Sequence, residues 1–145
     1  METVVIDANL GVGLVCLTPY SAGCRERMEQ WLRGGTRLAV PSLWDYEMAT
    51  AMRRLWAQKV LSREEVTAGL ELIFRLYLER VPPDPRLLTA SLDWAERLGQ
   101  SKAYDAQYAA LAERLGAELW SADQRLVNAL KEQGVSWAHW IGEVS

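Results

Sequence analysis

The sequence predicts an α/β fold with a mainly parallel central sheet. Short apolar, strand-like runs alternate with segments of helical periodicity, helix dominates by residue count, and neither an internal repeat nor a low-complexity linker interrupts the alternation.

The elements follow in order. Residues 3–6 form a short β-branched run that ends in Asp7, the pattern of a buried central strand with an acid at its carboxyl end. Residues 8–16 fit a short helix and 20–32 a second, stopped by Gly34 and Gly35. Residues 37–40 read as a second strand, closed by Pro41. Ser42 is expected to cap the next helix, whose apolar stripe is Trp44, Met48, Ala51, Met52 and Leu55, with Glu47 beside it. Ser62 and Glu65 make a capping box for a helix carrying Val66, Leu70, Ile73, Phe74 and Tyr77 as far as Pro82, and a weak third strand is expected around Arg80 and Val81. Asp84 followed by Pro85 opens a helix with Leu88, Leu92, Ala95 and Leu98 on its apolar side. Residues 101–115 are amphipathic through Tyr104, Tyr108, Leu111 and Leu115, with Asp105 in the first turn and Gly116 after the last. Residues 117–120 are a strand, 123–133 a helix ended by Gly134, and 135–139 a last strand of alternating pattern.

Composition narrows the function. A chain of 145 residues suits one domain over 1–145, and with 50% hydrophobic and 24% charged residues it can bury a proper core. Sixteen Lys plus Arg against 19 Asp plus Glu give a formal charge of -3, which excludes a uniformly basic nucleic-acid-binding surface but not a local basic groove. Two cysteines and one histidine do not complete a Cys/His zinc site, nor a disulfide framework. The apolar start, residues 4–17, has no cationic leader and is broken by Asp7, Asn9 and two glycines, so neither a signal peptide nor a membrane span is expected and the location is expected to be cytoplasmic.

In an open α/β sheet, ligands bind beyond the carboxyl ends of the strands. Four acids fall at that edge: Asp7 after the first strand, Glu47 in the helix after the second, Asp105 at the start of the helix before the fourth, and Asp123 just after the fourth. Asp105 and Asp123 also sit where a helix N-terminus favours a carboxylate by ~0.3 to 1 kcal/mol, Ser121 is an alternative cap for the last helix, and Glu47 has an ordinary solvated reading. Asp7 is different, because an acid ending so apolar a strand needs a partner. Clustered carboxylates repel unless a cation neutralises them, and no lysine lies close in sequence. Oxygen-only ligands point to a hard divalent ion, Mg²⁺ or Mn²⁺.

Four segments, VVIDANL at 4–10, PSLWDYEMATAMRR at 41–54, YDAQYAALAER at 104–114 and LWSADQRL at 119–126, together resemble a PIN-domain nuclease. Within that family the chain is most similar to the VapC-type ribonuclease toxins of prokaryotic toxin–antitoxin pairs. No single segment is specific, but the four in order span nearly the whole chain. The resemblance implies that Asp7, Glu47, Asp105 and Asp123 are an acidic quartet holding one or two Mg²⁺ or Mn²⁺ ions. Water activated by the metal then attacks an RNA phosphodiester in line, leaving 5′-phosphate and 3′-hydroxyl ends. Asn9 and Ser121 match small polar positions near the metal, with serine at 121 in place of the commoner threonine. Asp45 rivals Glu47, but the family's second acid stands further after the proline, which favours Glu47. The resemblance also implies a sheet order of 3-2-1-4-5, a homodimer and an antitoxin peptide wrapping the groove.

Other residues have plainer readings. His139 is expected to be surface or half-buried, Cys16 and Cys24 packed thiols, and the tryptophans, Trp44 and Trp56 among them, core or interface anchors. Arg53 and Arg54 are RNA-contact candidates, or simply a solvated helix face. Two other functions compete. A receiver-type Mg²⁺-binding signalling module wants a phospho-acceptor aspartate after the third strand and a lysine after the last, whereas Asp84 has the pattern of a helix cap and no lysine follows Val135. A catalytically inactive PIN-like interaction domain is disfavoured by the complete quartet.

Overall fold

In the computed structural model, which describes residues 2–100 and 103–143, the chain runs β1 (Thr3–Ile6), α1 (Ala8–Val15), α2 (Ser21–Arg33), β2 (Arg37–Pro41), α3 (Leu43–Ala57), α4 (Arg63–Arg75), β3 (Glu79–Val81), α5 (Pro85–Arg97), α6 (Tyr104–Leu115), β4 (Glu118–Ser121), α7 (Gln124–Glu132) and β5 (Ala138–Trp140), with a closing 3₁₀ turn. The five strands lie in the order β3-β2-β1-β4-β5, and every neighbouring pair is parallel. β1 is the middle strand: Val5 pairs with Ala39 on one side and Leu119 on the other. Val4, Val5 and Ile6 are completely buried, the reason this strand reads as an unbroken apolar run rather than an alternating one.

The order agrees with the expected 3-2-1-4-5 and differs from the 2-1-3-4-5 of receiver-type sheets, so the receiver reading fails on topology. From β1 the chain winds outward to β2 and β3, then crosses back to β4 and β5. That reversal opens a crevice at the carboxyl ends of β1 and β4, the strands that lead into Asp7 and Asp123.

Local signals held where the contacts are local. Ser62 and Glu65 form the full capping box of α4, Asp84 accepts the Leu87 amide at 2.8 Å ahead of Pro85, and Gly116 ends α6 in the left-handed conformation at φ 60°. Asp84 also receives two 2.8 Å bonds from Arg114, which ties the start of α5 to the last turn of α6.

Several expectations are corrected. Ser42 already has helical backbone angles and its side chain caps nothing. α4 ends at Arg75, so Tyr77 lies beyond it, and Phe74 and Tyr77 are both exposed; the buried face is Val66, Gly69 and Ile73. Gly69 packs closely there: a Cβ would stand 3.1 Å from the Met52 side chain and 3.2 Å from that of Val15, so either neighbour would have to give by a few tenths of an ångström. On α5, Leu88 and Leu92 face solvent, while Leu87, Ser91, Trp94 and Ala95 face the core. The Trp94 ring sets that rotation by packing edge-on against Trp137 at 5.8 Å, and Ser91 tolerates burial because its hydroxyl donates to the Leu87 carbonyl at 2.8 Å. On α6, Tyr104 and Leu115 are exposed, while Ala106 and the five consecutive residues from Tyr108 to Ala112 are buried, so the middle of the helix is covered on every side and is not amphipathic as expected. Small side chains let this helix lie close to the sheet. β5 is shorter and later than expected, and Ser101, the expected start of α6, lies outside the described residues. No helix among the described residues is long and apolar enough to cross a membrane.

Candidate active site

At the reversal of the sheet lies an open cleft of about 590 Å³, whose wall includes Asp7, Asn9, Glu47, Arg54, Asp105 and Tyr108. Asp7 leaves β1 and caps α1. Its Oδ1 accepts the Leu10 amide at 3.0 Å and the Ala122 amide at 3.4 Å, and its Oδ2 accepts the Ser121 hydroxyl. The strand-ending acid therefore has the partners its burial requires, all of them neutral. Burial pushes the Asp7 carboxyl up to about 6; the Ser121 hydroxyl and the two amides oppose this, and the charge of Asp123 adds to it.

Ser121 closes β4 and is wholly buried. Besides donating to Asp7 it accepts the Asp123 amide at 2.8 Å, so one hydroxyl fixes the loop after β4 against the end of β1. Asp123, and not Ser121, caps α7: its Oδ1 takes the Arg125 amide at 3.0 Å and the Leu126 amide at 3.4 Å. Asp123 is not part of the cleft wall, yet its charge bears on both Asp7 and Asp105.

Glu47 reaches the cleft from the second turn of α3, and the Tyr108 hydroxyl donates to its Oε1. Burial raises the Glu47 pKa against that hydrogen bond, with a further rise from Asp105. Asp105 stands in the first turn of α6, and burial, then Asp123, raises its pKa. Burial, above all, pushes the Tyr108 phenol upward too, with Glu47 next, while the Ala8 amide acts in the opposite direction. Asp45, two residues before Glu47, faces elsewhere: Arg80 of β3 grips both its oxygens at 2.7 and 2.8 Å.

The cleft thus gathers Asp7, Glu47 and Asp105 from three elements, with the charge of Asp123 bearing on Asp7 and Asp105. Asn9 is exposed on its wall. Arg54 lines the cleft, whereas the Arg53 guanidinium lies over the Trp56 ring at 4.6 Å. His139 is remote, stacked on Trp120 at 4.8 Å and bonded to Glu118 at 2.7 Å. Cys16 and Cys24 are buried free thiols, that of Cys24 pushed up to about 12 by burial. Trp44 is buried in the core, while Trp56 is partly exposed beneath Arg53 and Arg63.

As the side chains stand, no three Asp, Glu, His or Cys residues among those described are close enough together to surround a metal ion. The donor chemistry nevertheless fits a hard divalent cation. The cleft wall carries three carboxylates with pKa values raised chiefly by burial, its neutral polar side chains bear oxygen or amide groups, and Arg54 is the only cationic side chain on the described wall.

A model of the PIN domain matches residues 4–131. The chain belongs to the PIN-domain family. Within it, this PIN domain is similar to Ribonuclease VapC9 of Mycobacterium tuberculosis, with 39% identity over 123 residues that cover 85% of this chain and 87% of that protein. It is also 36% identical over 89 residues to Ribonuclease VapC1 of the same species, covering 61% of this chain and 65% of VapC1, so that match spans less than two thirds of the relative's length. Its fold resembles the crystal structure of VapBC2 from Rickettsia felis bound to a promoter DNA fragment, with a TM-score of 0.65 at 15% identity over 96% of this chain and 97% of that one. The VapC-type resemblance read from the four sequence segments is therefore matched by the family model and by these relatives.

The PIN domain's cleft also contains Tyr46 and Thr50, which the sequence did not single out, and Tyr104, expected only as part of an apolar stripe; Tyr46 and Tyr104 are exposed aromatics. Tyr108 was legible only as a member of an apolar stripe. Its hydroxyl function depends on α3 and α6 meeting at the cleft, which no spacing within α6 encodes.

Proposed function

We propose that this PIN domain, acting as a single domain over 1–145, is an endoribonuclease that hydrolyses RNA phosphodiester bonds with Mg²⁺ or Mn²⁺ held by Asp7, Glu47, Asp105 and Asp123. The observation that carries the reading is that carboxylates from β1, α3 and α6 converge on one cleft, where burial disfavours their charged forms and a bound divalent cation would favour them. The ribonuclease names of the similar VapC9 and VapC1 support the chemistry and the substrate class.

When bound, the divalent ion supplies Lewis acidity that activates water and offsets charge on the phosphate. The chain's own residues do the rest. Ser121 and the Leu10 and Ala122 amides hold the Asp7 carboxylate in one orientation, Asn9 offers a neutral amide at the rim, and Arg54 can take a phosphate oxygen on the cleft wall. Arg53, stacked on Trp56, is further from this role. A toxin role with a cognate antitoxin, a homodimeric state and a cytoplasmic location complete the reading. The VapC relatives and the VapBC2 fold neighbour support the antitoxin, while the homodimer and the location rest on the VapC-type resemblance and on the sequence.

The test is incubation of structured RNA with the protein in Mg²⁺, in EDTA, and with Asp7→Asn. Cleavage is expected in Mg²⁺ alone and is expected to vanish with the variant, which should stay folded because asparagine keeps an acceptor for the same amides. Normal cleavage by Asp7→Asn would remove Asp7 from the site, and no cleavage by the unsubstituted protein with any divalent ion would favour an inactive interaction domain.

A further inference from the structure

We infer that Tyr108 is a positioning residue for Glu47: its hydroxyl, reaching from α6 to α3, fixes the rotation of that carboxylate so that one oxygen is engaged and the other is left for a divalent cation in the cleft. This rests on the four-acid reading above and concerns a residue outside the quartet.

The geometry is specific. Tyr108 is 1% exposed, and the burial of its ring is work that phenylalanine would do equally well. The hydroxyl is the added feature, and a buried hydroxyl must find an acceptor. It finds Glu47 Oε1, 61 positions away in sequence, on the wall of the same cleft. Glu47 has no other hydrogen-bonding side chain on its carboxylate among the described residues, whereas Asp7 is held by three donors and Asp123 by two. A glutamate has three side-chain torsions and an aspartate two, so Glu47 has more freedom to lose on binding an ion. Holding it before the ion arrives removes part of that cost, as partners behind a metal ligand generally do.

The test reads metal binding directly, by titrating Mn²⁺ into the full chain and following free Mn²⁺ by electron paramagnetic resonance, with circular dichroism melting as the check on folding. Tyr108→Phe removes one oxygen and should raise the Mn²⁺ Kd by about tenfold, the range typical of lost support behind a metal ligand. In a Glu47→Ala background the same change should alter the Kd by less than about twofold, because the hydroxyl has lost the group through which it acts. Three results would overturn the inference: an unchanged Kd for Tyr108→Phe, an equal loss in both backgrounds, or a Tyr108→Phe chain that no longer folds, which would make the hydroxyl a structural bond. Asp7→Asn separates this failure from failure of the site itself. If Asp7→Asn abolishes Mn²⁺ binding while Tyr108→Phe leaves it intact, only the role of Tyr108 falls; if the unsubstituted protein binds no Mn²⁺, the four-acid reading falls with it.

Discussion

Two acids on one helix, Asp45 and Glu47, show how the surroundings of a side chain decide its role. They are about 200° apart around α3, so they face different neighbours. Asp45 meets Arg80, and Glu47 meets Tyr108 and the cleft. Glu47→Gln is expected to lower RNA cleavage by orders of magnitude, while Asp45→Asn leaves cleavage near normal and lowers stability by about 1 kcal/mol in urea unfolding, as one partner of a partly exposed, doubly bonded pair is weakened. The opposite ranking in the cleavage assay would transfer the second acid to Asp45. Asp7 allows charge and shape to be separated. Folding raises its pKa from 3.8 to about 6, so the native state binds the extra proton and, without metal, stability is lost as the pH rises from about 4 to about 6. In EDTA, Asp7→Asn should therefore be more stable than the unsubstituted protein at pH 7, by on the order of 1 to 3 kcal/mol, melt at a higher temperature, and approach it near pH 4. Equal melting temperatures at pH 7 would show that the Asp7 charge is not a burden on the fold.

At the scale of elements, the site depends on how α1 packs against α3, because α1 begins at Asp7 and α3 carries Glu47. Gly11 makes that contact possible: a Cβ there would stand 2.8 Å from Met48 Sδ and 2.8 Å from Trp44 Cζ2. The methionine tip can move, but the buried indole cannot move without disturbing the core. Gly11→Ala should destabilise the protein by about 1 to 3 kcal/mol despite the better helix propensity of alanine, and should reduce cleavage at temperatures where the chain is still folded. A gain in melting temperature would mean that propensity outweighs the clash. Element boundaries were readable wherever a cap is made by residues within one turn, as at Ser62 with Glu65 and at Asp84 with Pro85. The buried faces of α5 and α6 were not readable in the same way. Leu88 and Leu92 look more core-like than Ser91, and alanines look less so than Tyr104 and Leu115, until the Trp94–Trp137 contact and the close sheet set the rotation.

Over the whole molecule, the reversal of the sheet between β1 and β4 brings near one another acids that the sequence separates by 18 to 116 positions, at the cost of mutual repulsion without metal. A cation bound only by the folded state adds RT ln(1 + [L]/Kd), about 2.7 kcal/mol at one hundred times Kd. Mg²⁺ should thus raise the melting temperature of the unsubstituted protein. Asp105→Asn should raise the metal-free value and largely erase that response, because Asp105 is half-buried and feels Asp123. A metal-free variant less stable than the original, with the Mg²⁺ response intact, would reduce Asp105 to a carboxylate favoured by its helix N-terminus. The sequence by itself determined the α/β class, most of the elements and the position of Asp7 at the end of a buried strand, since periodicity, capping and the ends of buried strands are properties of short stretches of chain. The tertiary structure alone decided that Asp45 belongs to Arg80, that Arg54 rather than Arg53 reaches the cleft, and that Tyr108 holds Glu47. Each of these pairings depends on the rotation of one packed element against another, and that rotation is set by contacts between residues far apart in the chain.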